Sequence, residues 1–548
     1  MRNLTLCFIL LYVLLCSIPS KGQSWNWTNR TFSSAITTRG IGIDNAQNIF
    51  MLLSENSGSV TIDSFTTIGN NNFNIIKLDS SGHVFKMFES SSLISQAGYC
   101  FVSGIEVSNN GNLILRGRTE SPIVIAQDTF APVDTGINDY GFIIVLDSAF
   151  NYIKGKCFCN NSEFIINDIT TDANENIYLA GKFSGELATE VDTLNAQGID
   201  GIILKYDSVG NYLTSKVFND SAGACLITQI EKEDVTGRIG ISGWYYGSAQ
   251  FDTIMINNPT ANSNGFIASL DMNMNVEWAK DYVEAYDFND YAKLAMSPNG
   301  NLLISGSYYS DTLFIEDTSF VNLNVSDIYL ASYNNAGYLN WIKKEGGIHE
   351  DRVNDIEVDR NNNITIVGSF PGAIFLGNGT IFACGSQGLF ISRYDNEGDF
   401  LYSYSNEGCG DTEGNYVSID NNSNILIAGN FSEELIINGD SLISLASRNS
   451  YIAKLNTSTI PVLIPENFTN DFTIFPNPSN GTFYLNRESD IKDLEIEIVD
   501  VLGNIIKSES IRIEDNEDYY TFNLNVRGLY FLRLTTSEKH WNAKLIVR

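Results

Sequence analysis

Residues 167–183 read NDITTDANENIYLAGKF, a variable SGELATEVDTLNAQGID follows, and residues 201–219 read GIILKYDSVGNYLTSKVFN. Ile169, then Ile177 with Leu179, then Ile202 with Leu204, then Tyr212 with Leu213 mark four short apolar runs at the two-residue period of half-buried strands. DANEN between the first two runs and DSVGN between the last two are rich in Asp, Asn and Gly, which form tight turns. The stretch is predicted to be a four-stranded antiparallel meander.

The same text recurs along the chain. Positions equivalent to Ile169 are Ile41, Ile105, Ile230, Leu294, Ile356 and Val417, at steps of 61 to 64 residues. Around them stand NGNLILRGR (110–118), NGNLLISGS (299–307), NNNITIVGS (361–369) and SNILIAGNF (423–431). Radial repetition of four-stranded sheets is one way to protect strand edges. The expected fold is therefore all-β, a seven-bladed β-propeller over residues 23–458. The last repeat stops after YIAKLN at Asn456 without a fourth strand, whereas SWNWTNRTF (24–32) stands before the first anchor with no meander of its own. Trp25 precedes Ile41 by 16 residues, as Trp278 precedes Leu294. The segment bearing Trp25 and Trp27 is expected to complete the seventh sheet and so remove an open edge.

Arg2, an apolar stretch to Ile18, and the small residues Ser20 and Gly22 read as a secretory signal peptide spanning residues 1–22. No later run reaches the length of a membrane helix. The formal charge of -32 disfavours nucleic acid and anionic membranes as partners. Outside the leader remain Cys100, Cys157, Cys159, Cys225, Cys384 and Cys409. In an exported chain these suggest disulfides, and Cys384 with Cys409, inside one repeat, is the first pairing to expect. Cys100 and Cys225 fall in non-adjacent repeats and are not expected to pair. Cys157-x-Cys159 has no histidine nearby, which argues against zinc.

After Asn456, Pro461 and Pro465 interrupt any strand, and 459–470 reads as a linker. Residues 471–548 carry a separate pattern, with Leu494, Ile496 and Ile498 alternating with Glu495 and Glu497, and Tyr530, Leu532 and Leu534 with Phe531 and Arg533. Gly503 sits in the hairpin turn 502–504. A small immunoglobulin-like β-sandwich is expected here.

Two resemblances follow from these residues. DANENIYLAG (172–181) with DGIILKYD (200–207), and SPNGNLLISG (297–306) with SDIYLASY (326–333), resemble the bacterial β-propeller repeat family known as SBBP. That resemblance implies a fold and a secreted protein, with no defined ligand. Pro476, Asn477, Pro478, Gly481, then VDVLGNII with Gly503, then RGLYFLRL with Gly528 and Tyr530, and finally KLIV with Lys544, resemble the type A sorting domain of type IX secretion. This implies transfer across the outer membrane of a Gram-negative bacterium, with the machinery of that system as partner. It also implies release or attachment at the surface after removal of the domain. The family often has paired lysines near its end, where this chain has Lys544 alone.

No residue is singled out as catalytic, and no metal or cofactor is expected. Asp precedes Ser or Thr between the second and third strands at Asp63, Asp128, Asp192, Asp252, Asp317 and Asp440. These could form a ring of carboxylates for cations or glycans, but local turn bonding by Asp accounts for them more simply. The DANEN, DRNNN and DNNSN strings lack the central Gly and terminal Glu of a calcium loop. His349 beside Glu350 and Asp351 is a lone crowding of a base with acids, more simply a solvated loop. Trp244, Tyr245, Tyr246, Tyr308 and Tyr309 follow second strands, where Phe183, Phe370 and Phe431 argue for packing rather than sugar stacking. The expected role is a non-enzymatic, monomeric binding or adhesion module taking a glycan or protein on its loops. The alternatives are a secreted glycosidase or lyase, or a structural surface-layer component.

Overall fold

The computed structural model describes residues 24–547 except 31–35, 56–59, 68–72, 97–99, 127, 131–139, 159–162, 219–222, 234, 259–262, 283–291, 310–311, 322–324, 348, 378, 407, 438–439, 445–447, 458–471, 476–478, 480, 488–492, 501–504, 513–519, 525, 527 and 536–539. The expected signal peptide and linker, and Pro476, Asn477, Pro478 and Gly503, lie outside the described residues. So do the side chains of Trp25 and Lys544. The chain divides into Trp25–Asn456 and Thr457–Arg548.

Residues 164–218 form the expected meander from Phe164–Thr171, Ile177–Ala188, Thr193–Tyr206 and Tyr212–Phe218. Ile169 stands opposite Leu179, which stands opposite Leu204. The first turn is built by Asp172, whose Oδ1 accepts the Asn174 and Asn176 amides, both at 2.9 Å. Asp207 does the same for Val209 and Asn211 in the last turn. The Asp-Asn strings are thus turn chemistry. A bulge at Asn167 pushes the first strand against the second. A Cβ on Gly181 would fall 1.9 Å from the Ile165 carbonyl oxygen. The same approach to a first-strand carbonyl explains Gly117, Gly243, Gly368 and Gly429 at the ends of equivalent runs.

Equivalent four-stranded sheets occupy 36–89 (sheet 1), 100–157 (sheet 2), 164–218 (sheet 3), 224–282 (sheet 4), 293–347 (sheet 5) and 352–405 (sheet 6). In sheet 7 the strands Thr412–Ile419, Ile425–Phe431 and Asn449–Asn456 are joined at the outer edge by Ser24–Arg30. Second and third strands depart from the expected half-buried alternation. Every residue of Ile364–Phe370 and Gly388–Tyr394 is buried, because neighbouring sheets cover both faces. Leu113 and Leu115 pack with Phe50 and Leu52 of sheet 1, while Ile114 packs with Leu179 and Ile202 of sheet 3. Each such aliphatic side chain contributes about 1.5–3 kcal/mol.

The sheets of the first unit are also braced by polar contacts. A third-strand cation reaches the turn-forming aspartate of its own sheet in Arg393–Asp359, Lys454–Asp420 and Lys205–Asp172. Sheets 2 and 5 have Ser108 and Ser297 in place of that aspartate, and Val145 and Ser332 in place of the cation. The charge is therefore lost on both sides together. Between sheets, the Trp278 indole donates to the Asn335 carbonyl at 3.2 Å and the Trp341 indole to Asn396 at 3.0 Å. Each ring lies on a turn glycine at positive φ, Gly337 or Gly398. Trp27 makes the same contact on Gly82, donating to the Ser80 carbonyl at 3.2 Å. Trp27, rather than Trp25, therefore corresponds to Trp278, two residues along from the match by spacing alone.

Cys384 and Cys409 are bridged, with Cα atoms 4.5 Å apart. Cys157 is also in a disulfide. Cys100 and Cys225 carry buried thiols. Burial pushes the Cys100 thiol up to about 12.

In the second unit, Phe472–Phe475, Thr482–Arg487 and Tyr520–Asn523 form one sheet. Ile505–Arg512, Asp493–Asp500, Gly528–Thr535 and His540–Val547 form the other. Both contribute to one core through Phe483, Leu485 and Phe522 on one side and Leu494, Ile496, Leu532 and Leu534 on the other. Gly481 has φ +113 and sits against the Leu524 carbonyl, and the Tyr530 hydroxyl donates to Val526 O at 2.8 Å. Among the described residues there is no α-helix, and no helix is long and apolar enough to cross a membrane.

Candidate functional site: the inner strands and their cavity

The carboxylates suggested by the Asp-Ser/Thr pattern sit on small outer hairpins. Asp63 and Asp252 occupy turn positions with φ of 49° and 54°. Asp128 accepts from the Tyr152 hydroxyl at 2.6 Å, and Asp192 from the Thr193 amide at 2.8 Å. Asp252 accepts the Val276 amide at 2.8 Å and pairs with Lys216 of the preceding sheet. Glu190 and Glu316, on equivalent hairpins, pair with Lys156 and Lys280 of their preceding sheets. Asp317 is exposed at its turn, and the side chain of Asp440 lies outside the described residues. These acids brace hairpins and neighbouring sheets. Phe183, Tyr245, Tyr308, Phe370 and Phe431 are at most 1% exposed and belong to the core. Glu350 is engaged by the Tyr309 hydroxyl and the Arg352 guanidinium, both at 2.9 Å.

A denser set of charged groups lies on the first strands. Each first strand packs on the next along the chain, and Thr412–Ile419 packs on Ile36–Ile43. Bulge residues stitch them together. Asn167 donates to the Ile227 carbonyl at 2.7 Å and Asn354 to Gly414 at 2.8 Å. Asp168 accepts the Ile230 amide at 3.0 Å and Asp355 the Val417 amide at 2.9 Å. The Arg116 guanidinium lies 3.7 Å from Asp168. Tyr416 feels Arg116, Arg39, Asp355 and Asp168 together, so these groups share one space.

One residue beyond three of the seven anchors, Glu106, Glu231 and Glu357 line the same space. Withdrawal from water and repulsion by Asp168 push Glu106 up to about 8. Withdrawal from water and Asp355 push Glu357 up to about 8. Glu231 is raised well above its ordinary value by burial and then by Asp168, Glu357 and Glu106. Asp355 is pushed up to about 7, chiefly by burial.

The strand ends open into a cavity of about 460 Å³, bordered by Gln47, Asn109, Glu231, Lys232, Glu357, Arg360 and Asn421 among others. Of the other acids there, Asp44, Asp359 and Asp420 are occupied by their turn amides, the last two also by Arg393 and Lys454, and Glu233 by the Val235 and Thr236 amides. Glu231 and Glu357 therefore supply the acid surface. Among the described residues no group of three or more His, Cys, Asp or Glu could hold a metal ion. The inner acids carry a sequence signal of their own. They stand beside the anchors in sequence, Asp168 next to Ile169 and Glu231 next to Ile230, and strand alternation alone puts them on the face opposite the packed one.

A carboxyl that holds its proton more tightly folded than unfolded stabilises the fold most in acid. That stability is lost as pH rises through the folded value, here from about 4.5 toward about 8. Replacing Glu231 and Glu357 together by Gln should raise stability at pH 8.5 by about 1–2 kcal/mol and change it little at pH 4.5. The figure is kept small because both side chains border a water-accessible cavity. Urea titrations at the two pH values read it; equal effects at both would refute a charge origin.

Residues 473–548 match the secretion system C-terminal sorting domain family. A WD repeat-containing protein of Acanthamoeba polyphaga mimivirus, itself uncharacterized, is 23% identical over 479 residues, covering 72% of this chain. The chain spans only 34% of that relative. Among solved structures, a polysaccharide lyase of the PL25 family, an ulvan lyase, aligns over 74% of this chain and 93% of its own at 10% identity, with a TM-score of 0.35. A leech intramolecular trans-sialidase aligns over 95% and 93% at 9% identity, with a TM-score of 0.21. Superpositions this loose carry no argument about activity. The C-terminal match does carry one: the second unit is a sorting domain, which implies export by type IX secretion to the medium or the cell surface.

Proposed function

We propose that sheets 1 to 7 are the blades of a closed propeller of SBBP type, and that this ring is a non-enzymatic binding module displayed or released by type IX secretion. The sorting domain at 473–548 carries the export part of the reading. Closure is supported by the contact between the first strands of sheets 7 and 1, and by Trp27 repeating the Trp278 and Trp341 contacts. Two further bonds favour it. Thr38 Oγ1 donates to the Gly429 carbonyl at 3.1 Å, and Asn430 Nδ2 to Ile36 at 3.0 Å. The polar cavity at the turn end of the inner strands is the place for a ligand group, a glycan or a protein side chain, with the surrounding turns as rim. A binding role is favoured because the outer-hairpin acids are engaged with lysines and turn amides, and Asp168 and Asp355 with strand amides, which leaves Glu231 and Glu357 as the acids that an enzyme reading would have to use. A glycosidase would need two acids free at about 5 Å, or about 6.5–9.5 Å, across a substrate.

Two measurements test this. Cells expressing the chain without 473–548 should retain it in the periplasm; surface display without that domain would contradict the export reading. The full chain on glycan and protein arrays should bind a narrow set of ligands without altering them. Release of new reducing ends or unsaturated uronates would transfer the site to the enzyme reading. Silence on every array would favour a structural component.

A further inference from the structure

Two carboxylates outside the proposed binding site converge on one dipeptide. Asp327 begins the third strand of sheet 5, and Asp351 immediately precedes the first strand of sheet 6; they are 3% and 0% exposed. Asp327 Oδ1 lies so close to Gly346 that a Cβ there would sit 2.3 Å away, and Asp351 Oδ2 would be 3.3 Å from a Cβ on Gly347. Asp351 Oδ2 accepts the Gly347 amide. Gly346 and Gly347 in turn pair with Phe375 and Ile374, so the end of sheet 5 is hydrogen-bonded directly to the outer hairpin of sheet 6. Both acids therefore bear on the seam between two sheets.

The charges around the pair do not balance. Lys344 Nζ lies 2.7 Å from Asp327 Oδ2 and offsets one carboxylate. The Tyr308 side chain lies beside Asp327, whose charge, after burial, helps raise the Tyr308 hydroxyl above its ordinary value. On the other side, Ser326 Oγ donates to the Asp351 main-chain carbonyl, at 3.1 Å, and not to its carboxylate. Glu350 and Arg352 neutralise each other, and Glu345, itself pushed up to about 7 by burial, accepts the Gly377 amide at 2.9 Å. Asp351 Oδ1 is left with no hydrogen-bond partner among the described residues. An ionised carboxylate buried with an orphaned oxygen is costly, and the charge is removed if the group takes a proton.

We propose that Asp351, set against Asp327, is a proton-operated clasp between sheets 5 and 6: protonated when the seam is shut, ionised when it opens. Burial and then repulsion from Asp327 push Asp351 up to about 7. An opened seam returns it to water and to its ordinary value of 3.8. Opening therefore releases a proton. The opening constant should climb about tenfold per pH unit from roughly pH 4 to roughly pH 7 and then level off. A metal ion in place of the proton would need six or more oxygens, and the two carboxylates with one lysine do not provide them.

Hydrogen exchange of the full chain between pH 5 and pH 9, read by mass spectrometry on peptides covering 339–347 and 373–376, tests this. After correction for intrinsic exchange, these peptides should lose protection about tenfold per pH unit up to pH 7 and then hold level, while peptides of sheet 3 show no such slope. Asp351→Asn should lower the slope at this seam, and Asp351→Asn with Glu345→Gln should remove it. Asp327→Asn, which removes the like charge, should move the break below pH 7. A flat wild-type profile, or an unchanged slope in Asp351→Asn with sheet 3 still protected, would overturn the clasp. Restoration of protection at pH 8 by millimolar calcium would overturn it in favour of a cation. If none of these variants folds, the wild-type profile alone decides.

Discussion

Arg393→Ala is expected to destabilise the chain by about 3–5 kcal/mol, the cost of leaving a buried carboxylate without its partner. The Arg393 and Asp359 side chains are 3% and 0% exposed, and the guanidinium also donates to Thr365 at 3.1 Å. Asp359 additionally holds its turn through the Asn361 and Asn363 amides, both at 2.8 Å. The informative comparison is the double variant Asp359→Ser with Arg393→Ser. Sheet 5 has Ser297 and Ser332 at these places and folds into the same meander, Ser297 Oγ accepting the Asn301 amide at 2.9 Å. The double variant should recover most of the loss, since a buried ion pair contributes little net stability beyond satisfying itself. Denaturant midpoints of the three proteins check this. A double variant as unstable as Arg393→Ala would mean that the aspartate turn, not the charge pairing, supplies the stability.

Trp27→Ala is expected to cost about 2–4 kcal/mol, close to the cost of Trp341→Ala. Both indoles are half-buried, both lie over a turn glycine of the next sheet, and both donate to a carbonyl two residues before it. Trp27 also packs against the core shared by sheets 1 and 7. If Ser24–Arg30 merely decorated an outer edge, the substitution would stay within about 0.5 kcal/mol, as surface changes do. Thermal denaturation of the two variants side by side distinguishes the cases.

The meander was legible in the sequence because its turns are chemically explicit. Asp172 with Asn174 and Asn176, and Gly181 after a four-residue apolar run, each answer to one backbone requirement. The sandwich of the second unit was legible from the alternation at 494–498 and 530–534, which the burial of Leu494, Ile496, Ile498, Leu532 and Leu534 reproduces. The two-sided burial of second and third strands was not. Period-two reasoning assumes one wet face, and here neighbouring sheets remove it. The placing of Trp25 opposite Trp278 failed for a different reason. Connections between sheets differ by a residue or two, so counting back from an anchor cannot resolve a two-residue register that Gly82 and Ser80 decide. The inner acids were hidden by the same alternation that revealed the anchors, since each stands beside an anchor and points the other way. What ligand the cavity prefers is written in none of these patterns, because they record the demands of the backbone.

The most direct test of the closed ring is a cryo-electron microscopy map of the full chain. The account predicts seven radial sheets around one axis, with Ser24–Arg30 as the outer strand beside Asn449–Asn456 and the Trp27 indole on the turn containing Gly82. Six or eight sheets, or an open gap between the sheets that begin at Ile36 and at Thr412, would contradict it.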